Sequence, residues 1–220
     1  RTSMPRRLAI VTACLAGCCL FARDASAQAG QPGPLRVGLA TADITPEGPV
    51  WMRGFASRDN VKPSEGVARP LLAQCAVFDN GQTRVAVVAM DLCALSYRQA
   101  LKLRAAAEAA GIPPQHLLIN TSHTHFGPRL GDPEPEQRNL DYETLLAERL
   151  RGLPAAAVAR LQPAVLDFTV GSCTMGCSRR RLDANGQAVW GPEPRKPSDE
   201  DVPVLRVLSG EGLVRAVLFG

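Results

Sequence analysis

Residues 36–42 read as a first β-strand, and apolar runs at 71–78 and 84–90 read as a second and a third. Asp79-Asn80-Gly81-Gln82 separates the last two, and Asn-Gly between such runs signals a hairpin. Residues 85–90 are apolar without a break, the pattern of a strand covered on both faces. Ser96 then offers an N-cap to a helix over 97–110, rich in Ala, Leu, Lys and Glu, with Gly111 as its C′ residue. Pro113-Pro114 stops that helix, and 116–120 reads as another buried strand. Strand, helix and strand in this succession make a βαβ unit, whose two strands run parallel through a right-handed crossover.

Further along, 141–161 is helical in pattern, with Gly152 and Pro154 expected to divide or kink it. Residues 164–171 are strand-like, and 172–201, rich in Arg, Pro and Gly, read as a long surface excursion. A last hairpin is expected from 202–208 and 213–219 around Ser209-Gly210-Glu211-Gly212. The sum is an α/β domain: a mixed β-sheet with at least one βαβ unit and flanking helices. Phe219-Gly220 ends the chain within what reads as a core strand, so the domain is expected to be incomplete at its C-terminus.

Charge and leader change this picture at one end only. Arg6-Arg7 precede an apolar run over 8–22 and then Ala25-Ser26-Ala27-Gln28-Ala29, the three-part pattern of a secretory signal peptide. Met4 is the expected start, with residues 1–3 extraneous, and export to the periplasm or beyond follows. Leu15-Ala16-Gly17-Cys18 also fits lipoprotein processing, which would anchor the chain through Cys18. Residues 1–29 hold four arginines against one aspartate, so they carry +3 of the formal +4, and the rest is nearly neutral. That balance argues against nucleic acid as a partner. Of the seven cysteines, Cys75, Cys93, Cys173 and Cys177 lie beyond the leader. They read either as bridges of an oxidising compartment, Cys173 and Cys177 being the nearest pair, or as small buried hydrophobes, the reading favoured here.

Candidate chemistry sits in Asn120-Thr121-Ser122-His123-Thr124-His125-Phe126-Gly127-Pro128. The βαβ unit puts this segment just past the carboxyl end of a buried strand, the edge at which open α/β sheets bind ligands. Asp91 follows the neighbouring parallel strand and belongs to the same edge. Two imidazoles and a carboxylate there could hold a divalent metal. In an extended segment His123 and His125 would point to one side and Thr124 to the other. A His-x-His pair also arises by chance, so metal binding, catalysis and an inert pair all stay open. His116, at the opposite edge, reads as structural or exposed, and Arg179-Arg180-Arg181 as either an anion grip or a solvated surface.

Taken in order and spacing, a set of blocks resembles one known family. They are Val37-Gly38-Leu39-Ala40-Thr41-Ala42-Asp43-Ile44-Thr45-Pro46, Met52-Arg53-Gly54-Phe55, Met90-Asp91-Leu92, Thr121 to Pro128, Gly176-Cys177-Ser178-Arg179-Arg180 and Asp201 to Val207. The resemblance is to the N-terminal catalytic domain of the neutral/alkaline non-lysosomal ceramidases and covers about 36–220. It implies a zinc-dependent amide hydrolase acting on ceramide, a lipid substrate, to give a fatty acid and a sphingoid base. It further implies Zn2+ held by His123, with His125 as a second active-site histidine on the reacting oxygens and Arg179 contacting substrate. Peripheral contact with a membrane fits such a substrate, and no protein partner is defined. Phe126 stands where the family block usually has a small serine. The family's second zinc histidine, its later glutamate and tyrosine ligands and its active-site serine would all fall beyond Gly220. The 220 residues are therefore expected to be an N-terminal fragment with part of a zinc site, poor or inactive as an enzyme. The alternatives are an exported binding or scaffold protein that keeps the fold, and a hydrolase for another amide or ester.

Overall fold

The main sheet is built from β1 (Arg36–Asp43), β2 (Leu72–Asp79), β3 (Arg84–Met90), β4 (Leu117–Thr121) and the two-residue β5 (Gln162–Pro163), in the spatial order 4-3-2-1-5. This computed structural model describes residues 33–55, 57, 61–132 and 134–220. The expected leader over 1–29, with both of its processing alternatives, lies outside them. β2 pairs antiparallel with β1 and β3, whereas β3 and β4 run parallel with Met90 opposite Thr121. The crossover between them carries α1 (Tyr97–Ala109), so the βαβ unit stands as expected. Ser96 caps α1, its Oγ accepting from Gln99 N at 3.2 Å.

One face of the sheet is packed. Gly38, Ala40, Cys75, Val77, Ala86 and Val88 share it by register and are buried beneath α1 and α2 (Leu140–Val158). Helix α2 comes so close to β1 that a Cβ on Gly38 would lie 1.9 Å from the Ala157 carbonyl oxygen. Only glycine admits the helix there. Burial also pushes the Cys75 thiol up to about 12, which suits a residue acting as a small hydrophobe.

The opposite face departs from expectation. Residues 85–90 were expected to be covered on both faces, but Val85 is exposed, and Val87 and Ala89 are half-buried. β4, expected to be buried, is an edge strand with Leu118 61% exposed. Opposite lies a second sheet of β6 (Val165–Ser172), β9 (Asp201–Leu208) and β10 (Val214–Phe219), ordered 10-9-6. A cavity of about 730 Å³ separates the two layers, lined by Leu39, Val87 and Leu118 on one side and Phe168, Val217 and Phe219 on the other. The 214–219 strand is thus an edge strand with a half-exposed surface, not a core strand.

Two local readings are also corrected. Gly152 and Pro154 do not divide the helix, because α2 runs unbroken through both, with Pro154 buried against the core. The 172–201 excursion contains a hairpin, β7 (Ser178–Leu182) and β8 (Ala188–Glu193), around Asp183-Ala184-Asn185-Gly186-Gln187. Among the described residues the four cysteines are free, and no helix is long and apolar enough to cross a membrane.

Asp79 pins the β2–β3 hairpin from inside. Its Oδ1 accepts from Gly81 N at 2.7 Å, and its Oδ2 accepts from Arg84 Nε and Nη2 at 2.9 and 2.7 Å. Burial alone would raise this carboxyl, but those bonds and the charges of Arg84 and Arg36 outweigh it and hold it below 3.8. A depressed carboxyl contributes stability above its unfolded value and loses it as pH falls through its folded value. Asp79→Asn should therefore lose about 2 kcal/mol at neutral pH and show a smaller further drop on acidification. Urea midpoints at pH 7 and pH 3 for both proteins test this; equal drops would refute it.

Candidate metal centre

The parallel pairing of β3 and β4 sends both strands to one sheet edge, where Cys93 leaves the first and His123 the second. His123 Nδ1 donates to the Cys93 carbonyl at 2.8 Å. A carbonyl can only accept, so Nδ1 carries the proton and a neutral ring keeps its lone pair on Nε2. The backbone of His123 is left-handed, with φ of 56°, the sole positive φ on a non-glycine among the described residues. Such strain is tolerated where surrounding structure enforces it, and it collects at functional sites.

The segment is therefore not extended, contrary to the alternation expected of it. The two rings converge all the same, through the turn at His123: their centroids are 5.0 Å apart and inclined at 65°. The Cys93 Sγ joins them, and the donor atoms of Cys93, His123 and His125 lie within 4.8 Å of one another. Asp91 reaches the expected edge, but its Oδ2 accepts from Leu72 N at 3.0 Å and it is not one of the three. His116 is structural, its Nδ1 on the Arg84 carbonyl at 3.1 Å. Arg179 stands on β7 with its guanidinium 5.1 Å from the Trp190 ring centre.

His125 is held by the loop that carries Met52-Arg53-Gly54-Phe55. Residues 51–53 run beside 127–129, with Arg129 N donating to the Trp51 carbonyl at 2.8 Å and Arg53 N to the Gly127 carbonyl at 3.2 Å. This brings the Phe55 ring edge-on to His125 at 5.0 Å. Gly54 lies against the imidazole so closely that a Cβ there would be 2.2 Å from His125 Cγ, and its φ of 130° suits only glycine. A neighbouring cavity of about 620 Å³, lined by Pro46, Val50, Met52, Leu71 and Phe126 among others, opens beside this loop.

The first turn of α2 and the residues before it fasten both loops. The buried Asn139 accepts from Trp51 N at 2.9 Å and donates to the Trp51 and Arg129 carbonyls, each at 2.8 Å. Glu143, also buried, accepts from Gly131 N and Glu136 N at 2.9 and 2.8 Å and pairs with Arg98 of α1. Burial would raise the Glu143 carboxyl, but those two backbone bonds and Arg98 hold it below the usual 4.5.

The described chain is thus an α/β protein with a cysteine and two histidines gathered at the carboxyl edge of its parallel strand pair. No protein-family model and no curated protein matches the sequence. Among solved structures, the fold is similar to neutral ceramidase from Pseudomonas aeruginosa, with a TM-score of 0.65 and 22% identity over 84% of this chain and 31% of that one. A second similar structure is a ceramidase complexed with C2, with a TM-score of 0.66 and 23% identity over 84% of this chain and 30% of that one. The fold is ceramidase-like, and the chain spans under a third of the length of these structures.

Gly54→Ala should displace His125 and destabilise the fold by about 1–3 kcal/mol. With three histidines in the chain, ring NMR signals can resolve this: His125 should shift while His116 stays. An unmoved His125 signal would refute the packing role of Gly54.

Proposed function

We propose that this chain forms part of a zinc-dependent amidohydrolase that cleaves the amide bond of ceramide or a related N-acyl lipid, giving a fatty acid and a sphingoid base. The observation that carries the reading is the approach of the His123 and His125 rings to 5.0 Å at the ligand-binding edge of a ceramidase-like sheet. The donor set fits zinc, because the Cys93 carbonyl fixes the tautomer of His123 and leaves Nε2 for a metal. Bound zinc would polarise the amide carbonyl and bring the pKa of its water to about 7.

The chain's own residues supply the rest. Phe55 and Gly54 hold the His125 ring in place, from where its N–H would donate to the oxygens of the reacting amide. Arg179 would pair with polar oxygens of the substrate, its guanidinium oriented by the face of Trp190. The apolar cavity beside Phe126 would take part of a hydrocarbon chain. Ordinary turnover is assigned to a longer catalytic domain, of which these residues are the N-terminal part, and export through residues 1–29 belongs to the same proposal.

The test pairs metal analysis with hydrolysis. The protein should take up zinc, and His123→Ala should lower that affinity by at least about 100-fold. The full-length enzyme should release fatty acid from an N-acyl sphingosine faster than from simple N-acyl amides or esters, and lose this on chelation. Zinc uptake unchanged in His123→Ala would overturn the ligand assignment. A preference for a simple amide or ester would replace ceramide as the substrate, and a zinc-free fold without turnover would favour a binding protein.

A further inference from the structure

Strands β7 and β8 pair with each other as a two-stranded sheet of their own, and charge gathers on them. Residues 175–196, which contain both strands, hold five cations against two carboxylates, whereas the rest of 30–220 holds 16 against 18. Both carboxylates are engaged. Asp183 Oδ1 accepts from Asn185 N and Gln187 N at 2.9 Å each within the turn, and Glu193 pairs with Arg195 at 3.0 Å. Among the described residues no carboxylate forms an ion pair with Arg179, Arg180, Arg181 or Lys196. The acidic run Asp199-Glu200-Asp201 follows at the foot of the excursion, where Asp201 pairs with Ser172 and Cys173 N donates to the Glu200 carbonyl at 2.8 Å. The excursion is thus acidic at its foot and basic on its hairpin.

One face of this hairpin is exposed throughout. Register sets Arg180 opposite Trp190 and Leu182 opposite Ala188, so these four residues share a face, and all four are exposed. Trp190 is 68% exposed and Leu182 59%. The Arg180 guanidinium lies 4.7 Å from the centre of the Trp190 ring, and that of Arg179 5.1 Å. A solvated basic surface has no use for an indole and a leucine, whose exposure to water is unfavourable.

The geometry points to a lipid surface: we infer that the Arg180–Trp190 face of the hairpin docks this chain on a bilayer of anionic lipids. Indole is enriched at the boundary between headgroups and acyl chains, where its ring meets apolar groups and its N–H stays wet. Arginine beside it forms charge-assisted bonds to lipid phosphate, and the cation–π contact orients the guanidinium as the ring leaves water. Charge complementarity selects an anionic bilayer, because each cation near such a surface gains attraction within a Debye length of it. The excess of carboxylates elsewhere favours contact through the hairpin. The inference rests on the lipid-amide reading above for its choice of lipid over other polyanions. Arg179, assigned there to the substrate, stands on the same indole, so docking brings that group to the layer in which an N-acyl lipid lies.

Vesicles free of ceramide test the docking apart from hydrolysis. The protein should bind mixed phosphatidylglycerol and phosphatidylcholine vesicles at least about tenfold more tightly than pure phosphatidylcholine, and molar salt should remove the difference. The chain has two tryptophans, Trp51 and Trp190, and neither lies in residues 1–29, so their emission reports the hairpin apart from the leader. On anionic vesicles the emission should shift to the blue and be quenched by brominated acyl chains. Trp190→Phe, which keeps Trp51, should lose both changes. Arg180→Glu, at an exposed position and with its fold checked by circular dichroism, should need at least about tenfold more lipid for any remaining Trp190 quenching. Quenching that persists in Trp190→Phe, equal affinity for neutral and anionic vesicles, or an unchanged Arg180→Glu would overturn the docking face. Binding to heparin without binding to vesicles would overturn it in favour of a soluble polyanion. Lipid-amide hydrolysis without docking would sink this inference alone, whereas docking by a protein that takes up no zinc would sink only the zinc reading.

Discussion

The hydrogen bond from His123 Nδ1 to the Cys93 carbonyl is the constraint on which the site depends. It can form only because β3 and β4 run parallel in a fixed register, so that residues just past each strand meet at one edge. Burial of the helix-facing side fixes that register. Slipping β3 by one position would turn Ala86, Val88 and Met90 out of the core and bring Val85 and Val87 in. The bond also settles which nitrogen of His123 is available, which extended backbone at that position would not do.

A second set of contacts holds the site from behind. Asn139 satisfies three backbone groups on two loops, and Glu143 two more on the second of them, and both side chains are buried. Buried polar groups that are fully paired specify one arrangement, because any alternative leaves several of them unsatisfied. Helix α2 therefore covers the sheet with its apolar side and locks the loops with residues at its start. Gly38 and Gly54 mark the two places where this packing leaves no room for a side chain.

Much of the frame was legible because its signals are local. Asn80-Gly81 marked the first hairpin, and Ser96 with Gly111 bracketed α1. The same dipeptide, Asn185-Gly186, sits in the turn of the β7–β8 hairpin, but the surrounding Arg, Pro and Gly made that stretch read as a loop. Pro154 misled in the opposite direction, since tertiary packing keeps α2 continuous through it. The histidine pair was visible from its place after the second strand of the βαβ unit. The parts that depend on three-dimensional contact were not. Nothing in the order of residues says that Asp91 gives its carboxylate to Leu72 N, that Gly54 abuts an imidazole, or that Cys93 turns its sulfur toward the site.

The energetics explain why such a site needs so much support. A non-glycine residue in the left-handed region is strained by about 1–3 kcal/mol, and one neutral hydrogen bond returns only about 1 kcal/mol net. The bond to Cys93 alone therefore does not offset the turn at His123. The difference has to come from packing that the turn makes possible: Phe55 on His125, the paired 51–53 and 127–129 segments, and the buried Asn139 behind them. A metal held by the converged side chains would add to the same balance, since it binds the folded arrangement and not the open chain. On this view the strain at His123 is a consequence of aiming two histidines, two and four positions beyond the end of a strand, at one point.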